Sequence, residues 1–145
     1  MPHTYTSSLF HCVFSTKERM NLIRDPQALW RYIAGICKAK HIVLVAAGGT
    51  ANHLHLLIDL HPMTPLARAM QEIKANSSRW LNETQPPFAW QERYAALSVS
   101  QSQRDNVIRY IDNQAQHHRE RSFEEEFVAL LQKCRIAYDP KYVFG

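Results

Sequence analysis

Two histidines separated by one residue, His53 and His55, lie in an apolar stretch that runs from Asn52 to Asp59. The alternation predicts a β-strand, because successive strand side chains point to opposite faces. The other face of that strand is apolar throughout, with Leu54, Leu56, Ile58 and Leu60. Two neutral imidazoles on one face can bind one divalent metal ion. The alternative is a solvated strand face, since two ligands do not complete a metal site.

A second candidate group, Tyr110 and Gln114, lies downstream in a stretch that is predicted to be helical from Ser102 to about Arg121. Residues three and four apart share a helix face, so these two side chains and His117 are neighbours. A phenol and an amide one turn apart can serve one metal site, the phenol as nucleophile and the amide oxygen as ligand. The alternative is an interface helix whose tyrosine packs through its ring.

The rest of the chain alternates between strand and helix patterns. Asp25 and Pro26 form an N-cap and first-position pair for a helix that ends near Lys40. Further elements are predicted as a strand over 6–14, a strand over 41–47, a helix capped by Thr64, a strand over 94–100 and a helix that begins at a Ser122-x-x-Glu125 capping box.

The order of these elements is βαββαβ followed by two helices, which predicts an α+β fold with a ferredoxin-like antiparallel sheet. In that topology the first and third strands form the central pair. The nearly all-apolar stretch 41–47 is also typical of a central strand. We expect Gly48 and Gly49 to form the turn before the histidine strand.

Composition predicts one domain, residues 1–145, without a transmembrane helix or a secretion signal. Three cysteines indicate reduced, buried or half-buried thiols, and we expect a cytoplasmic protein that acts at the nucleoid. The net charge is +4, and Glu124, Glu125 and Glu126 hold three of the thirteen acids. The remaining surface is therefore more basic than the total implies, which fits a nucleic-acid partner.

The His53-Leu54-His55 motif followed by Tyr110-x-x-x-Gln114 resembles the small single-tyrosine HUH transposases of the insertion-sequence 200/605 family. The likeness is to the transposase A type, to which the REP-associated tyrosine transposases are related. It extends over nearly the whole chain, because residues 10–17 and 74–79 are similar to the family's opening strand and to its helix after the histidines.

The resemblance implies that His53, His55 and Gln114 bind Mg²⁺ or Mn²⁺ and that Tyr110 is the nucleophile. Members of this family cut single-stranded DNA next to hairpins at element ends, which leaves a 5′-phosphotyrosine and a free 3′-hydroxyl. The resemblance also implies a homodimer, in which the tyrosine helix of one subunit can complete the histidine site of the other. Three neutral ligands would leave the ion its full double charge.

Basic residues near the proposed site, or on the polar face of the helix after the histidine strand, are candidates for holding the DNA strand. They are Lys17, Arg19, Lys74, Arg79, Arg104 and Arg109. The alternative for each is a solvated surface charge. His117 and His118 are candidates for DNA contact or for support of the metal ligands.

Three other functions remain open at the level of sequence. One is an HUH nickase of the replication-initiator or relaxase type, although the Tyr110–Gln114 spacing and the short chain favour the transposase. Another is a domesticated, non-catalytic regulator that binds hairpin DNA or RNA, although a pure binder has no chemical need for the intact tyrosine and histidine set. The third is a ferredoxin-like binding module with an accidental motif match.

Overall fold

The computed structural model describes residues 5–114 and 121–144. Its strands are β1 (Leu9–Ser15), β2 (Val43–Gly49), β3 (His53–Asp59) and β4 (Ala95–Val99). Its longer helices within these ranges are α1 (Pro26–Ala39), α2 (Leu66–Thr84), α3 (Arg104–Asp112) and α4 (Phe123–Lys133). His117 and His118 lie outside the described residues.

The described strands form one antiparallel sheet in the order β2-β3-β1-β4. The predicted ferredoxin-like arrangement and its central pair, β1 and β3, are therefore confirmed. In the register of that pair, Val13 lies opposite His55 and Ser15 lies opposite His53. The two histidines thus occupy the middle of the sheet.

The two faces of the sheet are covered by different helices. Leu54, Leu56 and Ile58 are fully buried on the face that packs against α1 and α2. The start of α1 is as predicted, since the side chain of Asp25 accepts a hydrogen bond from the Ala28 backbone N–H. The histidine face is opposite and packs against α3 and α4.

The prediction of a central position for β2 is wrong, because β2 is an edge strand. Its apolar composition has another cause: α1 packs on one of its faces and α3 on the other. The predicted glycine turn is also wrong. Gly48 and Gly49 belong to β2 and pair with His55 and Leu54, so the turn lies at residues 50–52.

Helix ends deviate from prediction where the expected side-chain caps do not form. The N-cap of α2 is Pro65 rather than Thr64, and it makes no side-chain capping bond. The predicted helix from Ser102 begins at Arg104 and ends at Asp112, where Asn113 takes the non-helical φ of −98° and ψ of 20°. The predicted cap of α4 is confirmed, because Ser122 Oγ accepts a hydrogen bond from the Glu125 backbone N–H at 3.2 Å.

The cysteine prediction holds for two of the three thiols. Cys12 and Cys37 are buried, and burial raises their pKa values to about 12 and about 11. Cys134 is exposed. None of the described helices is long and apolar enough to cross a membrane.

Gly48 allows α3 to approach β2 closely. A Cβ atom at this position would lie 2.3 Å from the backbone oxygen of Ile111 in α3. Because backbone cannot move aside as a flexible side chain can, we expect Gly48→Ala to destabilise the protein by about 1–3 kcal/mol. The matched control is Gly35→Ala in α1, where a Cβ meets nothing within 4 Å. That change should stabilise the helix by about 0.5–1 kcal/mol.

Urea unfolding of both variants is the measurement. A Gly48→Ala protein that is as stable as the wild type would show that α3 is not held against β2 in this way.

Candidate active site

The face of β3 that points toward α3 and α4 carries the two candidate metal ligands. His53 and His55 are both fully buried, so the solvated-surface alternative does not hold. Their rings lie edge-to-face with centroids 5.1 Å apart. Burial beneath two helices means that both rings contact other side chains of the protein rather than solvent.

His53 is held by neighbours on both sides of its ring. Its Nδ1 lies 2.9 Å from Asn52 Oδ1 and 3.0 Å from Thr50 Oγ1, both in the turn before β3. Its Nε2 lies 3.0 Å from Gln114 Oε1. The ring stacks on Phe123 at the start of α4, with centroids 4.5 Å apart. These contacts fix the ring orientation and direct Nε2 toward the residues contributed by the helices.

His55 lies between a third histidine and a carboxylate. Its Nδ1 lies 2.8 Å from His11 Nε2, and its Nε2 lies 2.9 Å from Glu126 Oε1. His11 is a buried residue of β1, and burial together with neighbouring His55 lowers its pKa to about 3, although Glu126 acts in the opposite direction. His11 is therefore neutral at ordinary pH.

Glu126 of α4 is a functional candidate that the sequence analysis missed. It is 1% exposed, and it forms with His53 and His55 a cluster whose ligand atoms all lie within 4.8 Å of one another. Its spacing offered a signal: Glu126 follows Phe123 by three residues and precedes Leu130 by four, which places it on the apolar side of α4. An acid on that side of a helix is buried when the helix docks.

Tyr110 and Gln114 both meet Glu126. The Tyr110 hydroxyl donates a hydrogen bond to Glu126 Oε2, and Gln114 Nε2 donates to the same oxygen at 3.2 Å. The Tyr110 ring lies edge-on to His55, with centroids 5.7 Å apart. The structure thus brings Tyr110, Gln114, His53 and His55 of one chain together around the Glu126 carboxylate.

Electrostatics keep the Tyr110 phenol protonated in this arrangement. Burial and the Glu126 contact raise the pKa of Tyr110, while Gln114 and Arg121 act in the opposite direction more weakly. Burial also acts to raise the pKa of Glu126, but contacts with His55 and Tyr110 outweigh it and hold that pKa well below its ordinary value. Glu126 is therefore ionised and accepts the hydrogen bond of the Tyr110 hydroxyl.

The cluster is chemically suited to a divalent cation. Two imidazoles supply nitrogen donors, and the carboxylate of Glu126 and the amide of Gln114 supply oxygen donors. Such a mixed set fits first-row divalent ions such as Mn²⁺, and oxygen donors also suit Mg²⁺. The resemblance implied three neutral metal ligands. The cluster also contains the Glu126 carboxylate, which would offset part of the charge of a bound ion.

Two of the candidate DNA-binding cations make extensive contacts within the protein. The Lys74 ammonium donates to the backbone oxygens of Gln91 and Glu92 at 2.6 and 3.1 Å, and burial lowers its pKa. Arg19 donates to the Phe144 backbone oxygen at 3.0 Å and stacks over that ring. Lys74 thus ties the loop before β4 to α2, and Arg19 ties the C-terminal segment to the turn after β1, so both side chains have a structural role.

The other four cations lie closer to the surface. Lys17 is exposed just after β1, and Arg79 is exposed on α2. Arg104 and Arg109 are carried by α3, the helix of Tyr110, and Arg109 is exposed beside it.

A cavity of about 590 Å³ adjoins Tyr110 between β4, α3 and α4. His11 and Tyr110 lie in its wall, and its polar lining includes Ser98, Asn106 and Lys133. The cavity gives an extended ligand an approach to the tyrosine.

Comparison with known proteins identifies the family. Residues 4–114 match the family described as "Transposase IS200 like". The chain belongs to this family. The match ends at Gln114, so it includes both histidines and the tyrosine but not Glu126. Among curated proteins, none matches this IS200-like transposase significantly.

Two solved structures share the fold. A candidate transposase from Deinococcus radiodurans R1 has a TM-score of 0.65 and 22% identity, over 79% of this chain and 95% of that chain. A REP-associated tyrosine transposase bound to a REP hairpin has a TM-score of 0.60 and 14% identity, over 78% of this chain and 70% of that chain.

Glu126→Gln is expected to destabilise this IS200-like transposase by about 1–3 kcal/mol in EDTA. Donors from His55, Tyr110 and Gln114 converge on its two carboxylate oxygens. An amide carries no charge and has one oxygen, so the charge-assisted hydrogen bonds that these donors make to the carboxylate would be weakened or lost. The control is Glu124→Gln, an exposed acid on the same helix, which should change stability by less than about 0.5 kcal/mol. Equal stabilities of the two variants in urea would contradict the proposed convergence.

Proposed function

We propose that this protein is a metal-dependent transposase that cleaves and rejoins single-stranded DNA next to hairpins at element ends. One observation carries the proposal: in a chain of the IS200-like family, the Tyr110 hydroxyl and the side chains of Gln114 and Glu126 converge on the buried pair His53 and His55. A nucleophile, an ionised acceptor for its proton and metal-binding donors therefore lie together.

His53, His55 and Glu126 would hold the metal, with Gln114 as a further oxygen donor, and Mg²⁺ or Mn²⁺ is the proposed ion. When bound there, such an ion offsets negative charge that develops on the scissile phosphate. The imidazole nitrogens favour Mn²⁺ over Mg²⁺, which prefers oxygen ligands.

The reaction that these residues support is transesterification. The Tyr110 oxygen forms a bond to phosphorus, the bond from phosphorus to the 3′-oxygen breaks, and the departing oxygen takes up a proton to become a 3′-hydroxyl. The phenolic proton leaves toward Glu126, because Glu126 Oε2 already accepts the hydrogen bond from that hydroxyl. The resulting phosphotyrosine keeps the energy of the broken phosphodiester, so a 3′-hydroxyl can rejoin the strand without ATP.

We propose single-stranded DNA with hairpins as the partner, on the strength of the family and of the relative that is bound to a REP hairpin. Lys17, Arg79, Arg104 and Arg109 are the proposed phosphate contacts, since their side chains are at least partly exposed. Lys74 and Arg19 are proposed only as secondary contacts, because binding would compete with their present hydrogen bonds. Because the substrate is cellular DNA, the proposed place of action is the cytoplasm, at the nucleoid.

We also propose that residues 1–145 act as one domain and that two copies form the working homodimer. Tyr110 reaches the histidine pair of its own chain, and this supports catalysis within each subunit. Exchange of the tyrosine helix between subunits would be an alternative arrangement of the same residues.

Cleavage of 5′-labelled single strands tests the function. The strands would be taken from the DNA that flanks the gene and would contain the hairpins of that DNA. Full duplexes of the same sequences serve as the control. We expect Mn²⁺-dependent cleavage of the single strands, with a labelled product that DNA polymerase can extend because it ends in a 3′-hydroxyl. Tight hairpin binding without cleavage in Mn²⁺ or Mg²⁺ would contradict the proposed cleavage activity and would support a regulator that only binds DNA.

A further inference from the structure

His11 is a buried imidazole that the reaction proposed above does not use. It lies on β1, diagonally across the central strand pair from His55, and it is 5% exposed. Its Nε2 lies 2.8 Å from His55 Nδ1, and the two rings are stacked with centroids 5.0 Å apart. A hydrogen bond of this length between two buried rings fixes the orientation of both.

The contacts of His55 determine which of its nitrogens carries the proton. Its Nε2 lies 2.9 Å from the Glu126 carboxylate, which when ionised only accepts hydrogen bonds. Nε2 therefore carries the proton in this arrangement of a neutral ring. His55 Nδ1 then has a lone pair, and His11 Nε2 must donate to it.

A metal ion bound through His55 Nε2 requires the opposite tautomer. The nitrogen that binds a metal must offer its lone pair, and the proton must then reside on the other nitrogen, Nδ1. His11 Nε2 would have to accept that proton's hydrogen bond instead of donating one. A neutral imidazole can do either, since it moves its own proton between its two nitrogens.

The contacts of His53 are different in kind. Its Nδ1 faces Asn52 Oδ1 and its Nε2 faces Gln114 Oε1, and both amide oxygens only accept hydrogen bonds. The His11 ring beside His55, by contrast, can either donate or accept.

We propose that His11 is a positioning residue for the metal centre: it fixes the His55 ring and reverses its hydrogen bond so that His55 Nε2 becomes a metal ligand. This inference rests on the proposed metal site and adds to it a residue on β1.

The test measures metal binding without DNA, by calorimetric titration of Mn²⁺ into the wild type, His11→Leu and His11→Gln. Leucine keeps an apolar bulk but can neither donate nor accept, and we expect about 10- to 100-fold weaker Mn²⁺ binding. Glutamine carries a donor and an acceptor at the position of Nε2, so it should recover most of the affinity. Urea unfolding in EDTA separates loss of the fold from loss of the ligand.

His11→Leu with wild-type affinity for Mn²⁺ would overturn the inference and leave the proposed function intact. Absence of Mn²⁺ and Mg²⁺ binding by the wild type would overturn the metal centre and this inference together.

A second measurement uses the unmodified protein and so does not depend on a variant that folds. Nitrogen NMR of the histidine rings reports which nitrogen of His55 carries the proton. We expect Nε2–H in EDTA and Nδ1–H at saturating Mg²⁺. The same tautomer of His55 under both conditions would overturn the proposed reversal.

Discussion

Tyr110→Phe is expected to abolish DNA cleavage while leaving hairpin binding within a few-fold of wild type. The change removes one oxygen atom, the proposed nucleophile, and it keeps the ring that packs edge-on to His11 and His55. Loss of an enzymatic nucleophile typically lowers the rate by several orders of magnitude, and we expect a loss of at least about 10³-fold. Single-turnover cleavage in Mn²⁺ and native-gel binding measure the two quantities.

Tyr32→Phe is the matched control. Tyr32 stacks on Trp80 with centroids 4.4 Å apart, on the opposite side of the sheet from the histidines. The same chemical change at that position should leave the cleavage rate unaltered. A Tyr110→Phe protein that cuts at more than about a tenth of the wild-type rate would remove Tyr110 from the mechanism.

His53→Asn is expected to remove metal binding and cleavage together. The asparagine amide can still bond to the turn residues that hold His53 Nδ1, but it has no atom in the position of Nε2. We expect Mn²⁺ affinity to fall by at least about 100-fold, because the cluster loses one of its two imidazoles. Calorimetric titration and the cleavage assay measure both losses on one preparation.

His61→Asn serves as the control for a generic loss of imidazole, because His61 is exposed in the loop before α2. Its Mn²⁺ affinity and cleavage should equal those of the wild type. If His53→Asn kept the full Mn²⁺ affinity, the metal would have to bind elsewhere in the protein.

Local patterns were sufficient to predict the strand of His53 and His55 and the helix that carries Tyr110. Strand alternation assigns the two histidines to one face. Gln114 lies beyond the end of α3 at Asp112, yet its side chain meets Tyr110 at Glu126. Neither pattern predicts where α4 packs, so the sequence indicates only that Glu126 belongs to a run of three acids. Its burial depends on where that helix packs.

The error in the sheet and the unpredicted contacts of Lys74 have a similar origin. β2 is apolar on both faces because helices cover both faces of an edge strand, and periodicity alone cannot distinguish this from a central position. Lys74 lies on the polar side of its helix, yet a loop folds back over its ammonium group. Both outcomes depend on contacts between residues distant in sequence.

Mapping the covalent bond to DNA is the most direct test of the central claim. The wild type would be incubated with Mn²⁺ and labelled single-stranded hairpin DNA, denatured, separated on a gel and digested with trypsin and nuclease for mass spectrometry. Tyr110 is the only tyrosine between Arg109 and Arg119, so a tryptic peptide over 110–119 identifies it. We predict a metal-dependent covalent complex with a nucleotide phosphate on Tyr110. Cleavage without a covalent complex, or a complex joined to another residue, would contradict the account.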